Sequence, residues 1–521
     1  MESSWQPKPG DVSFRLVRPV KLHRALGIPG LFGTAYGDVG SSIYYALGIV
    51  AMSALGLTPL VLIFSALLFL CTGLTYAEGA TAMPEAGGTG AFARRAFNDL
   101  VSFIASWALM LDYLVTIAIS AFSVANYLGH FFPICGTWPV NSFVGIGIVA
   151  FLVGINILGI RLSSRVNIAL VILDIITQLT VAVFGILLII HIPTLIHNVH
   201  WGTAPTVNQL LFGISISMVA YTGIETVANL GSESRNPSKQ IPRTVLLVFA
   251  TVIVLYSLLS MTALSAYPVH QFDNHWVTDL TQRFLQDPIM GIAYAMPAAV
   301  REVLSVWVAI LAVTILTIAT NAGIIGSSRL AYFMGLRQQL PAGISAVQPR
   351  FRVPGRAIII FAGLACLMIM LGNVSILADL YAFGAVLAYT MAHVSIIALR
   401  IKEPDLKRPF KIPLNIHIRQ KDIPVTALIG GLATAMTWLI VIYTHAYGRI
   451  VGFAWIIVGL LIYILFRRIT HRPIIARAPE SQPKLERLLP SEQPASQKPE
   501  GENIVDLPAE DYNTKHPPKR G

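Results

Sequence analysis

The sequence predicts an all-α membrane protein of about twelve transmembrane helices, and three observations carry that prediction. Of its 521 residues, 55% are hydrophobic and only 12% charged, far from the usage of a soluble domain. Apolar runs long enough to cross a bilayer recur along most of the chain. Two of those runs are interrupted by glycine beside an acid: YGDVGSSIYY at 36–45, with Asp38, and AYTGIETVANLG at 220–231, with Glu225.

In chain order, the first 28 residues are polar and basic, so a cytoplasmic N-terminal segment rather than a cleavable signal peptide is expected there. A twelve-helix domain then occupies 29–468. Its spans fall roughly at 29–53, 58–82, 100–128, 142–160, 166–192, 208–230, 244–267, 301–328, 356–372, 374–398, 423–445 and 449–467. From 469 to 521 the chain turns rich in Pro, Gln, Glu, Lys and Ser (PESQPKLERLLPSEQPASQKPEGE), the composition of a disordered cytoplasmic tail.

The basic residues set the orientation. Of the 37 Lys and Arg, all except Arg283, Arg301 and Arg449 lie in the N-terminal segment, the even-numbered loops or the tail. The positive-inside rule therefore places both termini in the cytoplasm of a multi-pass protein of the inner or plasma membrane. One missed or extra helix would scramble that alternation. It also accounts for the net charge of +11, so nucleic acid is not an expected partner. The lipid bilayer is, and a homo-oligomer is compatible with the sequence.

Other classes are excluded in turn. Cys71, Cys135 and Cys366 are too few, and two lie within spans, for a disulfide framework or thiolate metal cluster. No nucleotide-binding glycine loop, zinc spacing or nucleophile triad has suitable context, so neither an enzyme nor a cofactor is expected. Uphill transport would have to draw on an ion gradient.

The two breaks carry the functional argument. A charge at membrane depth costs at least about 2.5–3.5 kcal/mol on insertion scales. Loosened backbone is tolerated there only where it faces protein or a polar cavity. Gly37, Gly40, Ser41 and Ser42 surround Asp38, and Gly223 precedes Glu225. The first five spans and the next five thus follow one plan, each opening on a broken helix with an acid. An odd-numbered repeat inserts upside down relative to its copy, which gives a 5+5 inverted repeat with spans eleven and twelve outside it.

Four motifs then resemble the amino acid–polyamine–organocation (APC) superfamily of secondary transporters. They are GDVGSSI in the first span, YAEGATAMPEAGG at 76–88, YTGIETVANLGSESRNPSKQIPR at 221–243 and SSRLAYFMGLRQQLP at 327–341. The resemblance covers essentially all of 29–468 and implies a LeuT-like fold, with helices 1 and 6 discontinuous around a midplane site. Within the superfamily, amino-acid permeases commonly carry a glycine–small–glycine break that receives the substrate carboxylate, matched here by Gly40-Ser41-Ser42. Many proton-coupled permeases carry a lysine midway along span five, where this chain has Asp174. A second branch resembles the chain more closely: YGDVGSSIYY is similar to the first-span motif of KUP-type potassium permeases. Together with LDYLVTIAIS (111–120), TGIE (222–225) and LYAFG (380–384), it also resembles the KimA-type importers. That likeness implies potassium and proton handling by Asp38, Tyr45, Asp112, Tyr113, Thr116, Thr222, Glu225 and Tyr381. Those families usually add a folded cytoplasmic domain, and here only a tail follows.

Weighed singly, Asp38 is the leading ligand, since a carboxylate and freed carbonyls suit an alkali cation or an ammonium group. Glu225 shares a face with Thr222 if the sixth span is helical there, and is the expected proton carrier. Asp112 and Thr116 share a face of the third span, with Tyr113 alongside; a strut between helices is the competing reading. Tyr45 and Tyr381 gain weight only from their motif positions. Asp174 reads either as a second proton site or as a structural acid, His393 as a satisfied core histidine, and Glu78 and Glu85 as parts of a cytoplasmic gate or loop. The expected activity is proton-coupled import of potassium, held at Asp38, Tyr45, Thr222 and Tyr381. An amino-acid, cationic amino-acid or polyamine permease is the alternative, and a non-transporting nutrient sensor is the alternative of another class. Paired breaks argue against a simple channel.

Overall fold

The structure, a computed structural model, describes residues 26–476 apart from 86, 160–163, 201–202, 230–233, 349–352 and 419–420. The expected N-terminal segment up to residue 25 and the tail from 477 onward lie outside the described residues. The spans are helical for the reason that governs any chain in hydrocarbon: only a helix satisfies its own backbone there. By length and composition, ten helical stretches among the described residues are able to cross a membrane. The first, Ile28–Ala82, takes in both of the first two expected spans, and the expected ninth is the shorter apolar helix Gly355–Ile369.

The helices run α1 (Ile28–Val39), α2 (Ile43–Ala54), α3 (Thr58–Ala82), α4 (Thr89–Ala96), α5 (Asp99–Leu128), α6 (Val140–Ile157) and α7 (Ser164–Leu188). They continue with α8 (Ile192–His197), α9 (Val207–Ser217), α10 (Glu225–Asn229), α11 (Pro237–Ala266), α12 (Asp279–Arg283) and α13 (Pro288–Tyr294). The last are α14 (Ala298–Leu336), α15 (Ala342–Ser345), α16 (Gly355–Ile369), α17 (Val374–Lys402), α18 (Val425–Thr444) and α19 (Ala446–Ile469). Two hairpins fill loops: β1 (Val269–Phe272) with β2 (His275–Thr278), and β3 (Asn415–Ile418) with β4 (Lys421–Pro424). Asp273 and Asn274, both at positive φ, make the first of these turns, as two-residue hairpin loops require.

Helix α5 is the axis of the bundle. Its most apolar window is entirely buried, and it packs along α14 and α17. The corresponding windows of α6, α18 and α19 are only 28%, 33% and 17% buried, so these three helices flank the core.

Two expectations need correction. Helix α14 runs to Leu336, not to about 328, because SSRLAYFMGL keeps Leu330, Ala331, Phe333 and Met334 buried beyond the expected end. Helix α11 starts at Pro237 rather than 244; proline at the first helical turn loses no needed N–H and presets φ.

Candidate functional site

The two breaks take different forms. Between α1 and α2 the chain tightens into a 3-10 turn, Gly40–Ser42, and never leaves right-handed helical dihedrals. Ser41 Oγ donates to the Asp38 carbonyl at 2.8 Å, and the Tyr36 ring covers Gly40, where a Cβ would sit 2.5 Å from Cζ. Between α9 and α10 the helix opens. A 3-10 turn, Met218–Tyr221, leads into Thr222 with extended dihedrals (φ −78°, ψ 157°) and Gly223 at φ +111°. Thr222 and Glu225 therefore do not share a helical face, as the sequence reading supposed. Thr222 Oγ1 turns back to the Val219 carbonyl at 2.9 Å, while Glu225 begins α10.

The breaks touch at Gly223. A Cβ there would lie 2.9 Å from Asp38 Cγ and 3.0 Å from Val39 N. Only glycine accommodates both the positive φ and that approach. Asp38 Oδ2 accepts a hydrogen bond from Thr226 Oγ1 at 2.7 Å. Glu225 Oε2 accepts from Gly223 N at 3.2 Å and from Tyr389 OH at 3.1 Å. Asp112 lies close to both acids, its carboxyl against that of Glu225, and no hydroxyl or N–H donor reaches either of its carboxylate oxygens. All three acids are buried, at 3%, 0% and 1% exposure for Asp38, Asp112 and Glu225. Among the described residues no Lys, Arg or His forms an ion pair with any of them. Nor is any group of three His, Cys, Asp or Glu there arranged to hold a metal ion.

Around the acids lie the expected hydroxyls. Thr116 Oγ1 donates to the Asp112 carbonyl at 2.9 Å and lies 2.6 Å from Tyr381 OH. Tyr45 OH pairs with Ser42 Oγ at 3.0 Å. Tyr113 OH accepts from Asn229 Nδ2. The arrangement is a buried, oxygen-rich cage with an excess of carboxylates.

Asp174 stands outside this cage. Tyr36, Gly40 and Tyr44 repeat every four residues and so share a face, with Asp38 on the other side of α1. That face meets α7, where Asp174 accepts from Tyr44 OH at 2.7 Å, Tyr36 OH at 3.2 Å and Gln178 Nε2 at 2.9 Å. His393 is held by Thr72 and Thr75 at 3.2 and 2.9 Å. Glu78 closes the end of the bundle that carries the basic residues: Arg400 donates to both its oxygens at 2.6 Å and Ile412 N donates at 2.9 Å. Glu85 pairs with Arg337 at that end's surface. At the far end His445 bridges Asp379 and Ser215, both at 2.7 Å.

Sequence reasoning missed Thr226, Asn229 and Tyr389. Tyr389 lies eight residues after Tyr381, two turns on, so one face of α17 offered that signal. Thr226 and Asn229 gave none, because their directions depend on where the sixth span resumes its helix.

A broken-helix bundle with a buried polar cage at its breaks defines a multi-pass membrane transporter, not an enzyme. Residues 26–466 match the family model described as amino acid permease, and the chain belongs to that family, within the APC superfamily. It is 27% identical over 467 residues to the branched-chain amino acid permease BcaP of Bacillus subtilis, covering 86% of this chain and 94% of that one. It is 24% identical to the methylthioribose transporter of the same organism, over 90% and 98% of the two chains. It is 23% identical to the low-affinity putrescine importer PlaP of Escherichia coli, over 85% and 93%. These findings support the amino-acid permease branch and give no support to the resemblance to potassium importers.

Proposed function

We propose that the chain carries an organic amine, of the amino-acid or polyamine class, across the cell membrane by alternating access, with both termini in the cytoplasm. The observation that carries this reading is the meeting of Asp38, Asp112 and Glu225 at the helix breaks with no basic partner. Uncompensated carboxylates in a dry cage attract a cation and repel a bare carboxylate. An ammonium group brings N–H donors, and no N–H or hydroxyl donor of the protein reaches the Asp112 carboxyl that lies against Glu225. The backbone around Gly40 offers less: its N–H is already given to the Tyr36 carbonyl. The amine end of a substrate is therefore the better-served end, which favours diamines and cationic amino acids over neutral ones. Relatives that carry putrescine and branched-chain amino acids bracket that range.

Proton coupling is assigned to Glu225. Tyr389 and the Gly223 amide steady its carboxyl, and it faces Asp112 across the cage. Asp174, fully partnered, is read as a structural acid tying α7 to α1. Potassium is retained as a second reading on one observation, the hydroxyl lining of Ser42, Tyr45, Thr116 and Tyr381, although the hydroxyl of Thr222 is spent on its own backbone. The deciding experiment is uptake into proteoliposomes of putrescine, arginine, leucine and rubidium side by side, with and without an imposed proton gradient. Saturable, gradient-driven uptake of putrescine or arginine is expected. Rubidium uptake without any amine uptake would overturn the proposal.

A further inference from the structure

Helix α5 carries more polar side chains than the cage uses. At 100° per residue, Asp112, Thr116, Ser120, Ser123 and Asn126 fall within a sector about 120° wide, and they extend about 21 Å along the helix. None is more than 8% exposed. Ser120 Oγ, Ser123 Oγ and both side-chain polar atoms of Asn126 have no hydrogen-bond partner, and no hydroxyl or N–H donor reaches the Asp112 carboxyl.

A run of this kind stands out among the described residues. Many hydroxyls on the other apolar helices bond back to the carbonyl four residues earlier, as Ser257 to Ile253 and Ser395 to Met391, both at 2.6 Å, and Thr72 to Leu68 at 3.0 Å. Ser120 and Ser123 do not. The unpartnered hydroxyls of Thr244 and Thr426 stand singly on their helices. Buried polar groups left unsatisfied are costly and rare in native structures, so a run of them along one face signals groups that find their partners in another state. The unpartnered groups within the sector are also one-sided. Toward the N-terminal end of α5 the face continues as Leu109, Ala108 and Ala105, apolar and buried, and then Ser102, which is bonded to the Gly90 carbonyl and to Gln339; unpartnered Ser106 lies about 40° outside the sector. Within the sector, unpartnered polar groups run from the acid cage toward the C-terminal end of α5.

Two contacts close that path. Thr116 and Tyr381 join α5 to α17 beside the cage. One residue beyond Asn126, Tyr127 OH donates to the Tyr44 carbonyl of α2 at 2.8 Å.

We propose that Ser120, Ser123 and Asn126 form the hydrated wall of the outer passage, a file of hydrogen-bonding sites through which water and an ammonium group reach Asp112. The passage is shut in this structure by the Thr116–Tyr381 and Tyr127–Tyr44 contacts. This rests on the transport reading and on the cytoplasmic placement of the termini, which puts the C-terminal end of α5 outside. When the outer halves of the bundle part, the orphaned groups gain water, and a hydroxyl or amide at each step replaces part of the cation's hydration shell.

The test is thiol accessibility in the full-length protein with Cys71, Cys135 and Cys366 replaced and uptake confirmed. Ser120→Cys and Ser123→Cys change a single atom each, and Asn126→Cys supplies a third position should either fail to fold. Phe151→Cys, 67% exposed on the apolar flank of α6, is the control. A membrane-impermeant cationic methanethiosulfonate added to intact cells should modify positions 120 and 123 at least about tenfold faster than 151. It should also outpace an anionic reagent of the same size, and Asp112→Asn should shrink that preference. Rates at 120, 123 and 126 no faster than at 151, in a protein that still takes up substrate, would overturn the passage; so would modification only in inside-out vesicles. Accessible cysteines in a protein that transports no amine would refute the substrate reading and leave the passage standing.

Discussion

Gly223 concentrates the demands of the site in one residue. Its φ of +111° and the approach of Asp38 leave no room for a methyl group. Gly223→Ala is therefore expected to abolish uptake in protein that still reaches the membrane, read as lost transport at normal surface abundance; retained uptake would show the break to be more plastic than its geometry. The acids divide the work. Asp38→Asn removes the charge at the contact of the two breaks and should weaken amine binding by about 3 kcal/mol. Glu225→Gln should leave binding measurable while abolishing accumulation driven by a proton gradient, and full accumulation by that variant would remove Glu225 from the coupling role. The acids and glycines were legible in the sequence because nothing about a membrane helix explains them. Thr226 and Asn229 were not, since an unwound residue shifts the register of every side chain that follows it.

At the scale of elements, helix identity was far easier to read than helix form. Apolar length placed the spans, but it carried no information about whether a glycine-marked break becomes a tightened turn, as at Gly40–Ser42, or opens out of the helix, as at Thr222 and Gly223. The end of α14 was misjudged for the same reason: SSRLAYFMGL looks like a loop by its polar residues and is a helix by its buried ones. Between the long helices α11 and α14, the short helix α13 docks against α2 and α14. Its N-cap Asp287 is half-buried beside Tyr127 and Tyr294. Burial pushes the Asp287 carboxyl up to about 7 from an ordinary 3.8. The docked segment then holds a proton that the undocked one releases. Docking is accordingly firmest below pH 4, weakens as pH rises toward 7 and changes no further above it. Hydrogen exchange at 288–294, corrected for intrinsic rates, should show protection falling over that window and flat in Asp287→Asn; protection rising with pH would contradict the assignment.

For the molecule as a whole, the distribution of charge predicts sidedness. Engineered cysteines at 270–295 should react with an impermeant reagent applied outside, and those at 404–420 should not; the reverse pattern would overturn the orientation. The family was legible in four motifs, whereas the substrate branch was not, because an oxygen-rich cage with acids suits either an alkali cation or an amine. The knot at Glu78 carries a consequence for turnover. Its carboxylate holds two nitrogens of Arg400 at 2.6 Å with almost no water present. Parting α3 from α17 at that end breaks both of these charge-assisted hydrogen bonds, and a buried pair that loses one partner is destabilised by about 3–5 kcal/mol until water reaches it. Under the proposed orientation, Glu78 and Arg400 are expected to act as a brake on the step that empties the cage into the cell. Under the proposed proton coupling, a chain with the brake released is expected to run loosely, letting protons slip through without cargo.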